Sequence, residues 1–191
     1  MRPTPAELRA SYGRTVPDLV GPGVRLLIVG INPGLWSGAT GAHFARPGNR
    51  FYPALHAAGL TGHSIDASAG LPDADRAHLL ARGLGITNLH PLATARADEV
   101  SAADLRDGVA RLERLVAEVR PAVVAVAGIT AYRTAFRRPR ATAGRQPETL
   151  AGAELWVVPN PSGLNAHETV ASLAAAFAEA ATAAGIDPLE D

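Results

Sequence analysis

The chain contains no cysteine and no lysine, and it has no apolar run long enough to cross a membrane. The absence of cysteine excludes a disulfide framework, a thiolate nucleophile and a cysteine-ligated iron–sulfur cluster. The absence of lysine removes the side-chain amine that forms Schiff bases with substrates. A membrane helix needs about 20 mainly apolar residues, and the first residues lack the apolar core of a signal peptide. We therefore expect a cytoplasmic protein without membrane contact.

The formal net charge is zero, whereas a basic domain is the usual sign of nucleic-acid binding. All 18 basic residues are arginine, and a local patch is enough for phosphate contacts. The arginines that crowd together are Arg46 and Arg50 in one stretch and Arg137, Arg138, Arg140 and Arg145 in another. For the second group, a solvated surface is an equally good interpretation.

The 191 residues predict a single domain over 1–191, in which 1–17 and 185–191 are peripheral. Short apolar runs predict strands at 25–29, 84–89, 122–128 and 155–159. Amphipathic or capped stretches predict helices at 5–12, 49–58, 74–82, 101–120, 129–136 and 165–184. Strands that alternate with helices pair in parallel and are covered on both faces, so the pattern predicts the α/β class.

Two of the predicted helices begin with capping signals. Ser101 and Asp104 match a variant of the capping box at the start of the clearest helix. Asn165, with Glu168 three residues later, predicts the N-cap of the last helix. The glycine- and proline-rich stretch 37–49 is predicted to be a loop, and long loops in compact domains are usually functional.

The stretch Gly30-Ile31-Asn32-Pro33-Gly34 follows the first predicted strand. Ligand crevices in open α/β sheets lie outside the carboxyl ends of the strands. Asn32 therefore places a polar side chain where chemistry is usually done. Pro33 moves Asn32 away from the helical region, and the glycines allow backbone to approach a ligand closely. The alternative is that Asn32 is a turn residue that bonds its own backbone.

This stretch resembles motif 1 of the mismatch-specific uracil/thymine-DNA glycosylases, which form family 2 of the uracil-DNA glycosylase superfamily. The resemblance continues through residues 35–52 and returns at 160–165, Asn-Pro-Ser-Gly-Leu-Asn, which looks like motif 2. It spans about residues 18–178. The resemblance implies a three-layer α/β/α sandwich with a central parallel sheet. It also implies a monofunctional DNA-repair enzyme without metal or cofactor, and we expect a monomer without an obligate protein partner.

The implied reaction is hydrolysis of the N-glycosidic bond of uracil, which is flipped out of double-stranded DNA, preferentially from G·U mismatches, and leaves an abasic site. The family motif makes Asn32 the catalytic residue. Because an amide does not titrate near neutral pH, it would position the attacking water rather than take its proton. We expect the enzyme to be slow.

The resemblance also implies the residues that contact DNA. The implied base-binding residues are Ile31, Gly34, Ser37, Phe44 and Asn160, with Phe44 stacking on the base. The implied wedge and orphan-base contacts are Gly163, Leu164 and Asn165, with Leu164 entering the base stack. The implied phosphate contacts are Ser162, Arg46 and Arg50, aided by the start of the last helix. The alternatives are a core aromatic for Phe44, a loop serine for Ser37 and a plain capped loop for 160–165.

Two places depart from the family pattern. The family often carries a basic residue near 88 and an acidic residue near 91, where this sequence has Asn88 and Pro91. His90 has two interpretations: it substitutes for the missing charged residues in acid–base chemistry, or it is a structural histidine. His43 also differs from the residue expected before Phe44, and we interpret it as an exposed rim group.

The departures leave two further functions open. One is the same scaffold with another base preference, such as hypoxanthine, xanthine, thymine or an alkylated cytosine. The other is a non-catalytic protein that binds lesions or abasic sites.

Overall fold

The structure is a computed structural model that describes residues 2–189. Met1, Glu190 and Asp191, at the ends of the segments predicted to be peripheral, lie outside the described residues. The strands are β1 (Leu26–Gly30), β2 (Leu84–Asn88), β3 (Val123–Ala127), β4 (Gly144–Leu150) and β5 (Ala153–Val158). The helices are α1 (Pro5–Ala10), α2 (Leu35–Thr40), α3 (Phe51–Ala57), α4 (Asp73–Ala81), α5 (Ala102–Val119), α6 (Ile129–Ala135) and α7 (Val170–Ala183). None of these helices is long and apolar enough to span a membrane.

The five strands form one sheet in the order β2-β1-β3-β5-β4. Neighbouring strands among β2, β1, β3 and β5 are parallel, whereas β4 pairs with β5 in the antiparallel direction. Every residue of β1, β2 and β3 is buried, as expected for parallel strands whose two faces are both covered. The predicted α/β fold with a mainly parallel sheet is therefore confirmed.

The alternation of side chains along β1 divides the core into two layers. Leu26 and Ile28 pack in the cluster formed with α3, α4 and α7. Leu27 and Val29 pack in the cluster formed with α5 and α6. Helices therefore cover both faces of the sheet, which is the predicted three-layer arrangement.

The N-terminal segment packs beside β2 and the loop that follows it. Leu19 and Ile86 exchange two backbone hydrogen bonds of 2.8 and 2.9 Å. Further along, the Gly13 N–H donates to Ala93 O, and the Ala93 N–H donates to Arg14 O, both at 2.8 Å. These bonds bring the carbonyl of Pro17 to the back of the site described below.

Strand β4 is absent from the sequence prediction, which placed no element between 137 and 154. The stretch is polar and contains Pro147, so it lacks the apolar run of a buried strand. As an edge strand it buries Gln146 and Leu150 and exposes most of the residues between them. Proline is tolerated at an edge because its missing N–H faces no partner strand. Arg145 forms an ion pair of 2.9 Å with Glu154 on β5.

The last helix begins later than predicted, and Asn165 is not its N-cap. Helix α7 follows Thr169, whose Oγ1 accepts a hydrogen bond from Ser172 N at 3.1 Å. Ser172 Oγ in turn accepts from Thr169 N at 2.9 Å. Thr169 and Ser172 therefore form the capping box of α7 in place of the predicted pair Asn165 and Glu168, and residues 165–169 belong to the preceding loop.

The prediction of a loop throughout 37–49 is also wrong in its first part. Residues 37–40 belong to the short helix α2, which ends at Gly41 with a left-handed φ of 68°. The remaining residues of the stretch form turns, among them the segment that carries Phe44.

Candidate active site

A cavity of about 820 Å³ opens at the carboxyl ends of β1, β2, β3 and β5. The chain crosses from one half of the sheet to the other between β1 and β3, and open α/β sheets bind ligands at such switch points. The predicted site residues that line the cavity are Ile31, Asn32, Gly34, Ser37, Phe44, Arg46, Asn160, Ser162, Leu164 and Asn165. Two other predicted residues, Gly163 and Arg50, lie outside the lining, in the same two loops.

The Asn32 amide is held in one orientation by its neighbours. Its Nδ2 donates to Pro33 O and to Thr94 Oγ1, both at 2.8 Å. The Thr94 hydroxyl donates its own hydrogen to Arg96 O at 2.6 Å, so its oxygen is left to accept from Asn32. Asn32 Oδ1 has no hydrogen-bond partner among residues 2–189 and is not buried. The amide therefore presents an acceptor in the cavity, although it also bonds its own backbone as the turn alternative proposed.

Thr94 is a residue of the cavity lining that sequence reasoning missed. It lies in the loop after β2, and its N–H donates to Pro33 O at 3.1 Å. Leu89 N and His90 N bond Gly30 O and Ile31 O in the same way, each at 2.8 Å. The loop thus continues the pairing of β1 with β2 and brings Thr94 beside Asn32. No local signal marks this threonine, because its partner is 62 residues away in the chain.

Phe44 lies across the end of β1. Its ring stacks on Phe51 with centroids 4.0 Å apart, and its backbone φ of 54° is left-handed. A Cβ built on Gly30 would lie 3.1 Å from Phe44 Cζ and would collide with Asn88 Oδ1. Glycine at position 30 therefore allows the ring and the amide to meet at one wall of the cavity.

Ser37 is buried in the same wall. Its Oγ accepts a hydrogen bond of 3.4 Å from Ala45 N, so it supports the turn that carries Phe44 as well as lining the cavity. Its predicted contact with the base stays a prediction.

His43 is buried and does not form an exposed rim group, so that interpretation was wrong. Only 4% of the residue is exposed. Its Nε2 donates to Pro17 O at 3.0 Å, since a carbonyl can only accept. Its Nδ1 therefore carries no hydrogen and accepts from Asn88 Nδ2 at 3.0 Å. This chain of bonds leaves Asn88 Oδ1 unpaired among residues 2–189, and it is accessible from the cavity.

Pro91, which departs from the family pattern as Asn88 does, and its neighbour His90 lie outside the cavity. Within residues 2–189, His90 forms a hydrogen bond through its backbone N–H to Ile31 O and none through its side chain, and neither His90 nor Pro91 lines the cavity. The geometry favours a structural histidine at 90 over an acid–base group.

The buried imidazole makes stability depend on pH. Burial lowers the pKa of His43 below its ordinary value of 6.5, partly opposed by the Pro17 carbonyl and the charge of Asp18. Below about pH 6.5 the unfolded chain takes up a proton that the folded imidazole refuses, so stability falls as pH falls towards the folded pKa. We expect urea midpoints to drop between about pH 7.5 and about pH 5.5.

The control is His43→Gln, which should flatten that pH dependence. His78, whose pKa burial also lowers, is retained in both proteins. An equal slope in the variant would contradict the assignment to His43.

Leu164 projects from the loop between β5 and α7, and 77% of it is exposed. The loop bonds itself beneath this side chain. Asn160 Oδ1 accepts from Ser162 N at 3.0 Å, and Ser162 Oγ accepts from Leu164 N at 3.3 Å. Asn165 Nδ2 donates to Asn160 O at 3.2 Å, so its amide is engaged inside the loop. Its contact with an orphan base stays a prediction.

The two predicted phosphate ligands of the 43–50 loop differ. Arg46 is exposed at the cavity, and no carboxylate among residues 2–189 pairs with it. The Arg50 guanidinium instead turns inward to backbone carbonyls of the 160–169 loop. The arrangement supports a phosphate contact for Arg46 and an internal role for Arg50.

Comparison with known proteins agrees with this geometry. The family model described as Uracil DNA glycosylase superfamily matches residues 17–182. Among solved structures, the chain is similar to a solution NMR structure of a candidate uracil DNA glycosylase from Methanosarcina acetivorans, with a TM-score of 0.59 and 17% sequence identity. The match covers 87% of this chain and 96% of that chain. At this identity the likeness concerns the fold.

Proposed function

Because the chain belongs to the uracil DNA glycosylase superfamily, we propose that it removes uracil from duplex DNA, preferentially from G·U mismatches. The observation that carries the proposal is the Asn32 amide, whose Nδ2 is engaged by Thr94 and Pro33 and whose Oδ1 has no hydrogen-bond partner in the described part of the chain and lies at the cavity. On this proposal the protein is a monofunctional repair enzyme of the mismatch-specific kind.

The proposed reaction uses water as the nucleophile. Asn32 Oδ1 accepts a hydrogen bond from the water and holds its oxygen towards the anomeric carbon of the flipped nucleotide. The C1′–N1 bond breaks and its electron pair leaves with the base, while the water oxygen bonds C1′. The proton lost by the water balances the charge of the departing uracil anion, and the products are uracil and an abasic sugar. Positioning accounts for the rate, because an amide cannot act as a base near neutral pH.

The Asn88 amide supports selectivity for uracil. Its Nδ2 is engaged by His43, which leaves Oδ1 as an acceptor beside Gly30. Uracil carries a donor at N3, whereas cytosine carries an acceptor there. Since an unpaired buried polar group is costly, a cytosine at this position is disfavoured. The orientation of the amide depends on His43, and hence on the Pro17 carbonyl.

Phe44 and Leu164 support action on duplex DNA. The Phe44 ring offers a face for the flipped base, and stacking on an aromatic ring contributes about 1–3 kcal/mol per base. Leu164 is exposed at the cavity mouth, where it can fill the gap that the base leaves. A mispaired uracil costs less to extrude than a paired one, which favours G·U over A·U.

The test is single-turnover base release from duplexes that contain G·U, A·U, G·T, hypoxanthine or xanthine, and from single-stranded uracil DNA. We expect uracil to be released fastest, with G·U ahead of A·U. Faster release of another base would replace the proposal with the altered-preference alternative. Tight binding of abasic DNA without any product would replace it with the binding-only alternative.

A further inference from the structure

Arg50 joins two loops that both contribute residues to the lining of the cavity. It closes the 43–50 loop, directly before α3, and its guanidinium enters the 160–169 loop. Nη2 donates to Ser162 O at 2.8 Å and to Asn165 O at 2.5 Å, and Nη1 donates to Glu168 O. One side chain therefore binds three carbonyls that flank Leu164 on both sides.

The backbones of the two loops also meet directly. Arg50 N donates to Pro161 O at 2.9 Å. A Cβ built on Gly163 would lie 2.5 Å from Gly48 O, so no larger residue fits between the loops without moving them. The loop that carries Phe44 and the loop that carries Leu164 are thus fixed relative to each other by contacts at Arg50, Gly48 and Gly163.

The 160–169 loop depends on such contacts for its shape. It contains no helix or strand, and most of its internal hydrogen bonds come from the side chains of Asn160, Ser162 and Asn165. One backbone bond joins Asn165 N to Ser162 O at 2.9 Å. The Leu164 side chain is exposed and has little packing of its own to hold it. A wedge that is already in place when DNA arrives avoids the entropy cost of ordering it on binding.

We propose that Arg50 is a positioning residue that holds Leu164 in place for insertion into duplex DNA, in contrast to the phosphate contact predicted from the sequence. The proposal rests on the proposed function. The charge of the Arg50 guanidinium is stabilised by carbonyl dipoles, and no carboxylate within residues 2–189 forms an ion pair with Arg50. We call the bonds of Arg50 to the three carbonyls the Arg50 clamp. Because only a duplex requires a wedge, loss of this clamp slows release of paired uracil and largely spares release of unpaired uracil.

The experiment compares single-turnover release of uracil from a G·U duplex and from single-stranded DNA. We expect Arg50→Ala to slow release from the duplex about 10- to 100-fold, the size that follows a misplacement of about 1 Å. Release from the single strand should change less than about threefold on the same reasoning. Leu164→Ala should show the same pattern, and the double variant should be no slower on the duplex than Leu164→Ala alone.

Two further variants separate the possible roles of Arg50. Arg50→Lys keeps the charge but cannot bridge three carbonyls, so it should be as slow on the duplex as Arg50→Ala. Arg82→Ala is the structural control, because this half-buried arginine also donates to two carbonyls, Leu60 O at 3.2 Å and Asp187 O at 2.5 Å, away from the cavity. It should lower stability without changing the ratio of duplex to single-strand rates.

Three results would overturn the proposal. Rescue by Arg50→Lys together with a smaller salt dependence of binding would make Arg50 a phosphate ligand. Equal loss on both DNAs would make it a merely structural residue. The third is read from 2-aminopurine placed beside the uracil, whose fluorescence rises when the stack opens. An equal rise with wild type and Arg50→Ala would exclude the clamp. This last readout needs no base release, so it still tests Arg50 if uracil excision itself, and with it the proposed function, fails.

Discussion

Asn32→Ala lowers the single-turnover rate of uracil release from a G·U duplex by about 100- to 1,000-fold, the loss seen when one preorganised polar group is removed from a reacting centre. The reason is geometric. The side chain that is lost presents an acceptor that Thr94 and Pro33 hold in one orientation. On the proposed function, alanine leaves the attacking water without this acceptor. Binding of the duplex should change little, because on the proposed function the amide bonds the water and not the DNA.

The Thr94 hydroxyl provides the matched control for this result. Thr94→Val removes the oxygen that holds Asn32 Nδ2 while keeping the shape of the side chain. Asn32 keeps its bond to Pro33, so we expect an intermediate loss of about tenfold, within the range for a displaced catalytic group. Thr94→Ser should restore the rate. An unchanged rate in Asn32→Ala would show that this residue takes no part in the reaction. An unchanged rate in Thr94→Val would show that the hydrogen bond from Asn32 to Thr94 does not matter for it.

Gly108→Ala destabilises the fold, although alanine is the better helix former. Gly108 lies within α5, and a Cβ there would collide with Leu89 O and lie 2.9 Å from the Leu89 carbonyl carbon. Backbone cannot move aside as a flexible side chain can. We expect a loss of about 3 kcal/mol in the free energy of unfolding, the upper part of the usual overpacking range. For a chain of this size that corresponds to a fall in Tm of roughly 6–12 °C.

The control is Ala110→Gly, at an exposed position of the same helix. It should cost about 1 kcal/mol, which is the helix propensity difference alone. A melting curve of each variant, followed by circular dichroism, gives the comparison. If Gly108→Ala were the more stable protein, the close approach of α5 to the backbone after β2 would be wrong. That approach matters for the site because Leu89 directly follows Asn88.

The buried parts of the fold could be predicted because their signals are local. Strands β1, β2 and β3 are short and mostly apolar runs, and α5 has an apolar face and a capping box at Ser101 that the structure retains. Strand β4 could not be predicted, because an edge strand needs neither an apolar run nor the absence of proline. The start of α7 was misplaced because Asn165 and Glu168 imitate a capping box, while the Asn165 amide is used to close its own loop.

The site divides in the same way. Asn32, Phe44 and Leu164 lie within motifs whose order along the chain resembles a family, and all three line one cavity. Thr94 and the role of His43 could not be found, because each depends on a partner that only the folded chain brings near. His43 meets Pro17 across 26 residues and Asn88 across 45. Such pairs leave no periodicity in a single sequence.

The exposure of Leu164 has a thermodynamic consequence for recognition. Burying a leucine completely contributes about 1.5–3 kcal/mol, and most of this side chain meets solvent in the free protein. Extruding a base costs a few kcal/mol, so on the proposed function the burial of this one leucine offsets a large part of the cost of unstacking. Burial of apolar surface also gives association a negative heat capacity change. On the proposed wedge role of Leu164, discrimination between damaged and intact DNA therefore varies with temperature, because part of its driving force is the dehydration of this side chain.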